Sequence, residues 1–133
     1  MPALSNITVK KDDAVTDIVW TGVQPSSGDG TSAVWQSQTV GTALAHRPEA
    51  RLSAREGSKG ATRVLRITSQ YPSISTNSTT GITSVYSRCR FAAEWVLDKS
   101  VPATDQAEFI SQLSGFMNST TFRSYIKSGF SAT

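Results

Sequence analysis

Arginine is concentrated in one third of this sequence, where several arginines are spaced by two or four residues. Eight of the 13 Lys and Arg residues, but only two of the 10 Asp and Glu residues, lie within residues 47–90. That segment therefore carries a net charge of +6, and the rest of the chain sums to −3. A guanidinium group binds phosphate through two parallel hydrogen bonds and stacks on flat rings. The pattern predicts a polyanionic partner, and a merely solvated charged surface is the alternative interpretation.

The arginines fall into segments in which polar and apolar residues alternate. Side chains an even number of residues apart along a strand point to the same face. Segments 49–55, 61–71 and 83–97 are therefore predicted to be neighbouring antiparallel strands with one apolar face and one basic face that lacks acidic residues. The basic face would carry Arg51, Ser53, Arg55, Arg66, Thr68, Tyr86, Arg88 and Arg90. Such a face suits RNA, because its arginines can neutralise phosphates and its aromatic ring can stack on unpaired bases. Arg63 lies an odd number of residues from Arg66 and is therefore not expected on this face.

The segments before the basic strands predict the rest of a sheet. Strand-like alternation also marks residues 7–9, 15–20 and 33–40, and a short additional strand is expected within 41–46. The first two would form an N-terminal hairpin. The polar segment 72–82 predicts a protruding loop.

Beyond residue 100 the apolar residues recur every three to four positions, which is typical of helices. Helices are predicted at 105–117, with Asp105 as its N-cap, and at 120–127, ending at Gly129. Together these elements predict one α+β domain over residues 1–133. It would contain an N-terminal hairpin, a five-stranded antiparallel sheet and two C-terminal helices packed on the sheet's apolar face.

Residue types that support catalysis are scarce. His46 and Cys89 are the single histidine and the single cysteine. They are more simply interpreted as a turn histidine and a small buried apolar residue than as metal ligands or catalytic groups. Neither a glycine-rich phosphate loop nor a nucleophile motif occurs, and no apolar run has the length of a membrane span. We therefore expect no enzymatic activity, catalytic residue, metal, cofactor, small-molecule substrate or membrane partner.

The order of elements resembles the coat proteins of single-stranded RNA bacteriophages, the levivirus-like family. The resemblance covers nearly the whole chain: the hairpin, a Trp-bearing strand, RLSARE, a turn, TRVLRITSQYP, a polar loop, a strand ending in FAAEW, and two helices. It rests on length and architecture, because that family has no short diagnostic motif. It implies an obligate, intertwined homodimer that assembles into an icosahedral shell. Such a protein would be found in the virion, after assembly in the bacterial host cytoplasm.

The resemblance also implies roles for individual residues. The free face of the sheet would bind the single-stranded RNA genome and an RNA hairpin that represses replicase translation, through Arg51, Ser53, Arg66, Thr68 and Arg90, with Arg55 and Arg88 as added charge. Arg90 stands where the family often has a stacking aromatic residue, which leaves Tyr86 as the nearest aromatic on that face. The implied dimer interface comprises Phe91, Trp95, Phe109, Leu113, Phe116, Phe122 and Ile126. The implied contact between dimers comprises Ser75, Thr76, Asn77, Ser78, Thr79 and Thr80.

Two other functions fit the same residues. A non-viral dimeric RNA-binding regulatory protein would share the basic sheet face without forming a shell. A structural interaction module would have no role in nucleic-acid binding.

Overall fold

The computed structural model describes residues 2–38 and 43–131. The chain divides into two compact units, Met1–Val96 and Leu97–Thr133. The first unit contains nearly all of the sheet, and the second contains both helices.

The strands form one sheet whose spatial order is the order of the chain. They are β1 (Ile7–Lys10), β2 (Asp17–Gln24), β3 (Ser32–Ser37), β4 (Glu49–Glu56), β5 (Thr62–Thr76) and β6 (Thr83–Asp98). The α+β prediction is confirmed, but within residues 2–38 and 43–131 the sheet has six strands rather than five. The N-terminal hairpin is part of the sheet, because β2 pairs with β3 from Trp20 opposite Ser37 to Gln24 opposite Val34.

The short strand expected within 41–46 is not observed in the part that the structure describes. Leu44–His46 forms a single 3₁₀ turn, and residues 41 and 42 lie outside the described residues. Arg47 follows in an extended conformation, as a residue before proline prefers. The buried Pro48 then leads into β4.

The predicted loop at 72–82 is shorter than expected, because β5 continues through Pro72 to Thr76. A proline is tolerated there since β4 begins at Glu49, opposite Gln70, and does not extend alongside Pro72. The hairpin closes where the hydroxyl oxygens of Thr76 and Thr83 lie 2.8 Å apart. Only residues 77–82 connect the two strands.

The second unit consists of α1 (Ala103–Asn118) and α2 (Thr120–Ser128). The prediction of Asp105 as N-cap is wrong: Pro102 occupies that position, and Asp105 lies in the first turn, where a carboxylate still interacts favourably with the helix dipole. Ser119 caps α2 by accepting a hydrogen bond from the Phe122 N–H, and Gly129 ends it with a left-handed φ of 76°. Neither helix contains a buried residue. Within residues 2–38 and 43–131, no helix combines the length and apolar character that crossing a membrane requires.

Asp13 organises the turn between β1 and β2. Its Oδ2 accepts a 2.6 Å hydrogen bond from the Thr16 hydroxyl. Its Oδ1 accepts from the backbone N–H groups of Val15 and Thr16, both at 2.9 Å. These hydrogen bonds, that of the Thr16 side chain foremost, lower the pKa of Asp13 from 3.8 to about 2.

We expect the Asp13 carboxyl carbon to titrate with a midpoint of about 2 in an NMR acid titration. Because the folded pKa lies below the unfolded value, the contribution of Asp13 to turn stability is present above the unfolded value of 3.8 and is lost as the pH falls through about 2. Thr16→Val removes one donor and should move the midpoint upward. A wild-type midpoint near 3.8 would contradict the hydrogen-bonded turn.

Candidate nucleic-acid interface

The ladder between β4 and β5 brings four of the predicted RNA-binding residues together on one face. Arg51 lies directly opposite Thr68, and Ser53 lies directly opposite Arg66. Residues directly opposite each other in an antiparallel pair point to the same face. Arg55, two residues beyond Ser53, shares that face, which we call the basic face.

Strand β6 adds Arg90 to this group. A shallow depression of about 430 Å³ on the surface is lined by Glu49, Arg51, Thr68, Ser69, Gln70, Arg90, Phe91 and Ala92. Arg88 and Tyr86 have the same parity as Arg90 and lie nearer the β5–β6 turn. Tyr86 is 70% exposed, so its ring is accessible for stacking. The prediction that Arg88 and Tyr86 share the face of Arg90 would make the basic face elongated, from Arg55 near the β4–β5 turn to Tyr86.

Four of the five arginines on the basic face are unpaired. Arg55, Arg66, Arg88 and Arg90 are exposed, and none forms an ion pair with another residue in the described part of the chain. An exposed guanidinium without a carboxylate partner retains all its donors for an anionic ligand.

Glu49 contradicts the expectation that the basic face carries no acid. Its Oε1 lies 2.5 Å from the Nε of Arg51, and its position opposite Gln70 places it on the same face. The sequence could have predicted that Glu49 lies on the basic face, because Glu49 precedes Arg51 by two residues in the same strand. By parity with Arg90, Glu94 of β6 also belongs to the face, so within residues 49–96 the face carries five arginines and two glutamates, a net charge of +3.

The basic face also contains apolar residues, which the alternation of polar and apolar residues in the sequence does not predict. The two buried hydrophobic residues of the described chain, Val34 and Val64, lie opposite Arg51 and Arg55, each 8% exposed. Long arginine side chains can cover such residues with their methylene groups while the charged ends stay in water. The opposite face holds Leu52, Leu65 and Ile67, all only half-buried.

Arg63 lies outside the basic face, as its parity predicts. It pairs with Glu56 in the β4–β5 ladder and forms a 3.7 Å ion pair with Asp29. It is a matched control for the arginines of the face, since it belongs to the same strand as Arg66.

The prediction of a buried Cys89 is wrong, because its side chain is exposed. β6 is the last strand of the sheet, so no further strand of this chain borders it within the described residues. Phe91, two residues on, is 48% exposed. This edge strand therefore presents apolar side chains to solvent.

The other residues predicted for the dimer interface are also incompletely buried. Trp95, Leu113 and Phe122 are half-buried, whereas Phe109, Phe116 and Ile126 are exposed at 53%, 56% and 64%. The ring centroids of Phe116 and Phe122 lie 4.5 Å apart. They line an apolar groove of about 490 Å³ in the second unit, together with Tyr125, Ile126, Gly129, Phe130 and Ser131.

The predicted contact between dimers divides into two parts. Ser75 and Thr76 are the last residues of β5, whereas Asn77–Thr80 form the turn. The Asn77 Oδ1 accepts hydrogen bonds from the N–H groups of Thr79 at 2.8 Å and Thr80 at 3.1 Å. All six residues are exposed.

Solved structures with the same architecture come from virus-like particles and a bacteriophage capsid. The virus-like particle of Beihai levi-like virus 21 matches with a TM-score of 0.82 at 12% identity, over 99% of each chain. That of bacteriophage NT-214 matches with a TM-score of 0.83 at 10% identity, over 99% of this chain and 100% of the other. The protein capsid of bacteriophage GA matches with a TM-score of 0.73 at 14% identity, over 95% of both chains.

This chain has the fold of the RNA-phage coat proteins. No protein-family model and no curated protein matches its sequence. At identities of 10–14% the likeness establishes the fold, and the roles of individual residues depend on the geometry of this chain.

We expect the double variant Arg66→Gln/Arg90→Gln to bind RNA more weakly and with a flatter salt dependence. Each lost phosphate contact should reduce the magnitude of the slope of log K against log salt by about 0.7 to 0.9, so the loss of two contacts should reduce it by about 1.4 to 1.8. Filter binding of single-stranded RNA at several salt concentrations measures the slope.

The control is Arg63→Gln/Lys59→Gln, which removes two positive charges from the β4–β5 hairpin outside the basic face. Both double variants should keep the wild-type melting temperature, since exposed side chains contribute little to stability. An equal loss of slope in both would show that only the net charge matters and that the face is not a binding site.

Proposed function

We propose that this protein is the coat protein of an RNA-phage-like shell, which self-assembles around single-stranded RNA. The observation that carries the proposal is the likeness to virus-like-particle subunits over 99% of this chain and 99–100% of theirs. The neighbours are shell-building proteins, which supports a structural role in the virion rather than an enzymatic one.

Exposed apolar side chains support obligate pairing with a second copy. Among the described residues only Val34 and Val64 are buried hydrophobic residues, whereas eighteen large hydrophobic residues are exposed. Such a distribution is typical of a chain that completes its core in an oligomer. In the proposed dimer the free edges of β6 pair across a two-fold axis, and the helix groove receives the partner.

The basic face supports binding of the packaged RNA. Its four unpaired arginines would neutralise phosphates, and Tyr86 would stack on an unpaired base. We further propose that the same face binds an RNA hairpin and thereby represses replicase translation, with assembly in the bacterial host cytoplasm.

Protein expressed alone should form regular hollow particles in electron microscopy and should co-purify with RNA, visible as a raised A260/A280 ratio. Dimers that carry RNA but never form particles would instead support a regulatory RNA-binding protein. Particles without RNA would support the shell and contradict the role of the basic face.

Phe116→Ala should destabilise the dimer by about 3 to 5 kcal/mol if the ring is buried against a partner. The measurement is the melting temperature together with the sedimentation profile of the assembled protein. Leu44→Ala is the control, because Leu44 lies in the 3₁₀ turn and does not line the helix groove, so we expect it to change neither quantity. A Phe116→Ala particle as stable as the wild type would remove Phe116 from the interface.

Replacing residues 78–81 by Asn-Gly should leave the dimer folded while altering or preventing shell closure. The Asn77 N–H to Ile82 carbonyl hydrogen bond, 2.9 Å long, already closes the hairpin, and two residues suffice for a tight turn. Circular dichroism tests folding and electron microscopy tests closure. Loss of the folded dimer would show that the turn is structural rather than a contact between dimers.

A further inference from the structure

Glu49 is held in place from two neighbouring strands. Its Oε1 accepts from the Nε of Arg51 at 2.5 Å, and its Oε2 accepts from the side-chain amide of Gln36, on β3, at 3.3 Å. Its backbone carbonyl accepts from the hydroxyl of Ser69, on β5, at 3.0 Å. Only 14% of the Glu49 side chain is exposed, against 56% of Arg51. A carboxylate so far removed from water requires such partners.

This arrangement distinguishes Arg51 from the other arginines of the basic face. The carboxylate occupies its Nε, and no other partner of Arg51 is found in residues 2–38 and 43–131. The four N–H donors of its two terminal nitrogens therefore remain for a ligand. Because Glu49 is itself anchored, the plane of the guanidinium is restrained beside the depression that Thr68, Gln70 and Arg90 also line.

The Glu49 charge also changes which ligand Arg51 favours. A neighbouring carboxylate repels a phosphate but scarcely affects a neutral acceptor, so a compensated guanidinium loses more of its attraction to phosphate than to a base edge. Among bases, guanine presents two acceptors, O6 and N7, spaced for the two-pronged hydrogen bonding of arginine. The unpaired Arg66 and Arg90 lack this compensation and retain their full attraction to phosphate.

We propose that Glu49 is a positioning residue that makes Arg51 a reader of an unpaired guanine, while the unpaired arginines neutralise phosphates. The inference rests on the proposed RNA-binding function and deepens it. It assigns sequence preference to one residue of the face and salt dependence to the others.

Salt titrations of single-stranded RNA binding test the division of roles. In Glu49→Gln, Arg51 loses its charge compensation and gains a phosphate contact, so the slope should steepen by about 0.7 to 0.9. In Glu49→Gln/Arg51→Gln the slope should return to the wild-type value, whereas Arg66→Gln alone should flatten it by about 0.7 to 0.9. Glu56→Gln makes the same charge change on the opposite face and should leave the slope unchanged. A wild-type slope in Glu49→Gln, or a flattening in the double variant as large as that of Arg66→Gln, overturns the inference.

Selection from RNA hairpins with a fixed stem and a randomised loop tests the guanine preference. The wild type should enrich guanine at one loop position, and replacing it by 7-deazaguanine, which lacks the N7 acceptor, should weaken binding by roughly tenfold. Arg51→Lys keeps the charge but not the two-pronged geometry, so it should lose this preference while its melting temperature stays at the wild-type value. Bound hairpins without guanine enrichment, or enrichment unchanged in Arg51→Lys, overturn the inference but leave the proposed function standing. If the wild type binds no RNA at low salt, the proposed RNA-binding role of the basic face fails, and the inference fails with it.

Discussion

The register between β4 and β5 is the constraint on which the rest of the candidate site depends. It places Arg51 opposite Thr68 and Ser53 opposite Arg66, and so puts residues that are 13 to 17 positions apart in the chain onto one surface. A shift by one residue would send each side chain of one strand to the other face. The register is supported on the opposite face by apolar pairs such as Leu52 with Ile67 and Ala54 with Leu65. The contacts that fold the sheet and those that we propose bind a ligand are therefore set by the same ladder.

The chain by itself buries little apolar surface. Val34 and Val64 are its buried hydrophobic residues within the described ranges, and the helices leave Phe109, Phe116 and Ile126 exposed. Large apolar side chains of this kind are costly to leave in water. In our proposal a second copy covers them, so that folding and assembly use the same apolar side chains and the subunit becomes stable as part of a dimer.

The charged side chains of the basic face differ among themselves in whether they have a partner within the chain. Within residues 2–38 and 43–131 the four unpaired arginines form no ion pair with an acid, so their positive field is available to a polyanionic ligand and weakens as the salt concentration rises. Arg51 is bound to Glu49, which is bound in turn to Gln36. In our proposal one face therefore combines two kinds of contact: the unpaired arginines attract phosphates through their charge, and Arg51 recognises a base through the geometry of its hydrogen bonds.

Local patterns in the sequence were sufficient for the main strands, for both helices and for the sides that β4 and β5 present, but they predicted a strand within 41–46 where Leu44–His46 forms a 3₁₀ turn and a loop where β5 continues to Thr76. Alternation placed Arg51, Ser53, Arg66 and Thr68 on one face and excluded Arg63, because side-chain direction in a strand depends only on parity. Helical periodicity located both helices to within two residues of their observed bounds. These features are local, and neighbouring residues suffice to determine them.

Features that depend on distant parts of the chain required the tertiary structure. The pairing of β2 with β3 makes the sheet six-stranded, the limited length of β4 allows β5 to continue through Pro72, and the edge position of β6 exposes Cys89. The hydrogen bond between Gln36 and Glu49 joins β3 to β4. The sequence does not predict it, because local patterns do not reveal which residues of two strands lie side by side. Parity assigns a side chain to a face, but only the packing of strands decides which charged groups on that face meet and which remain free for a ligand.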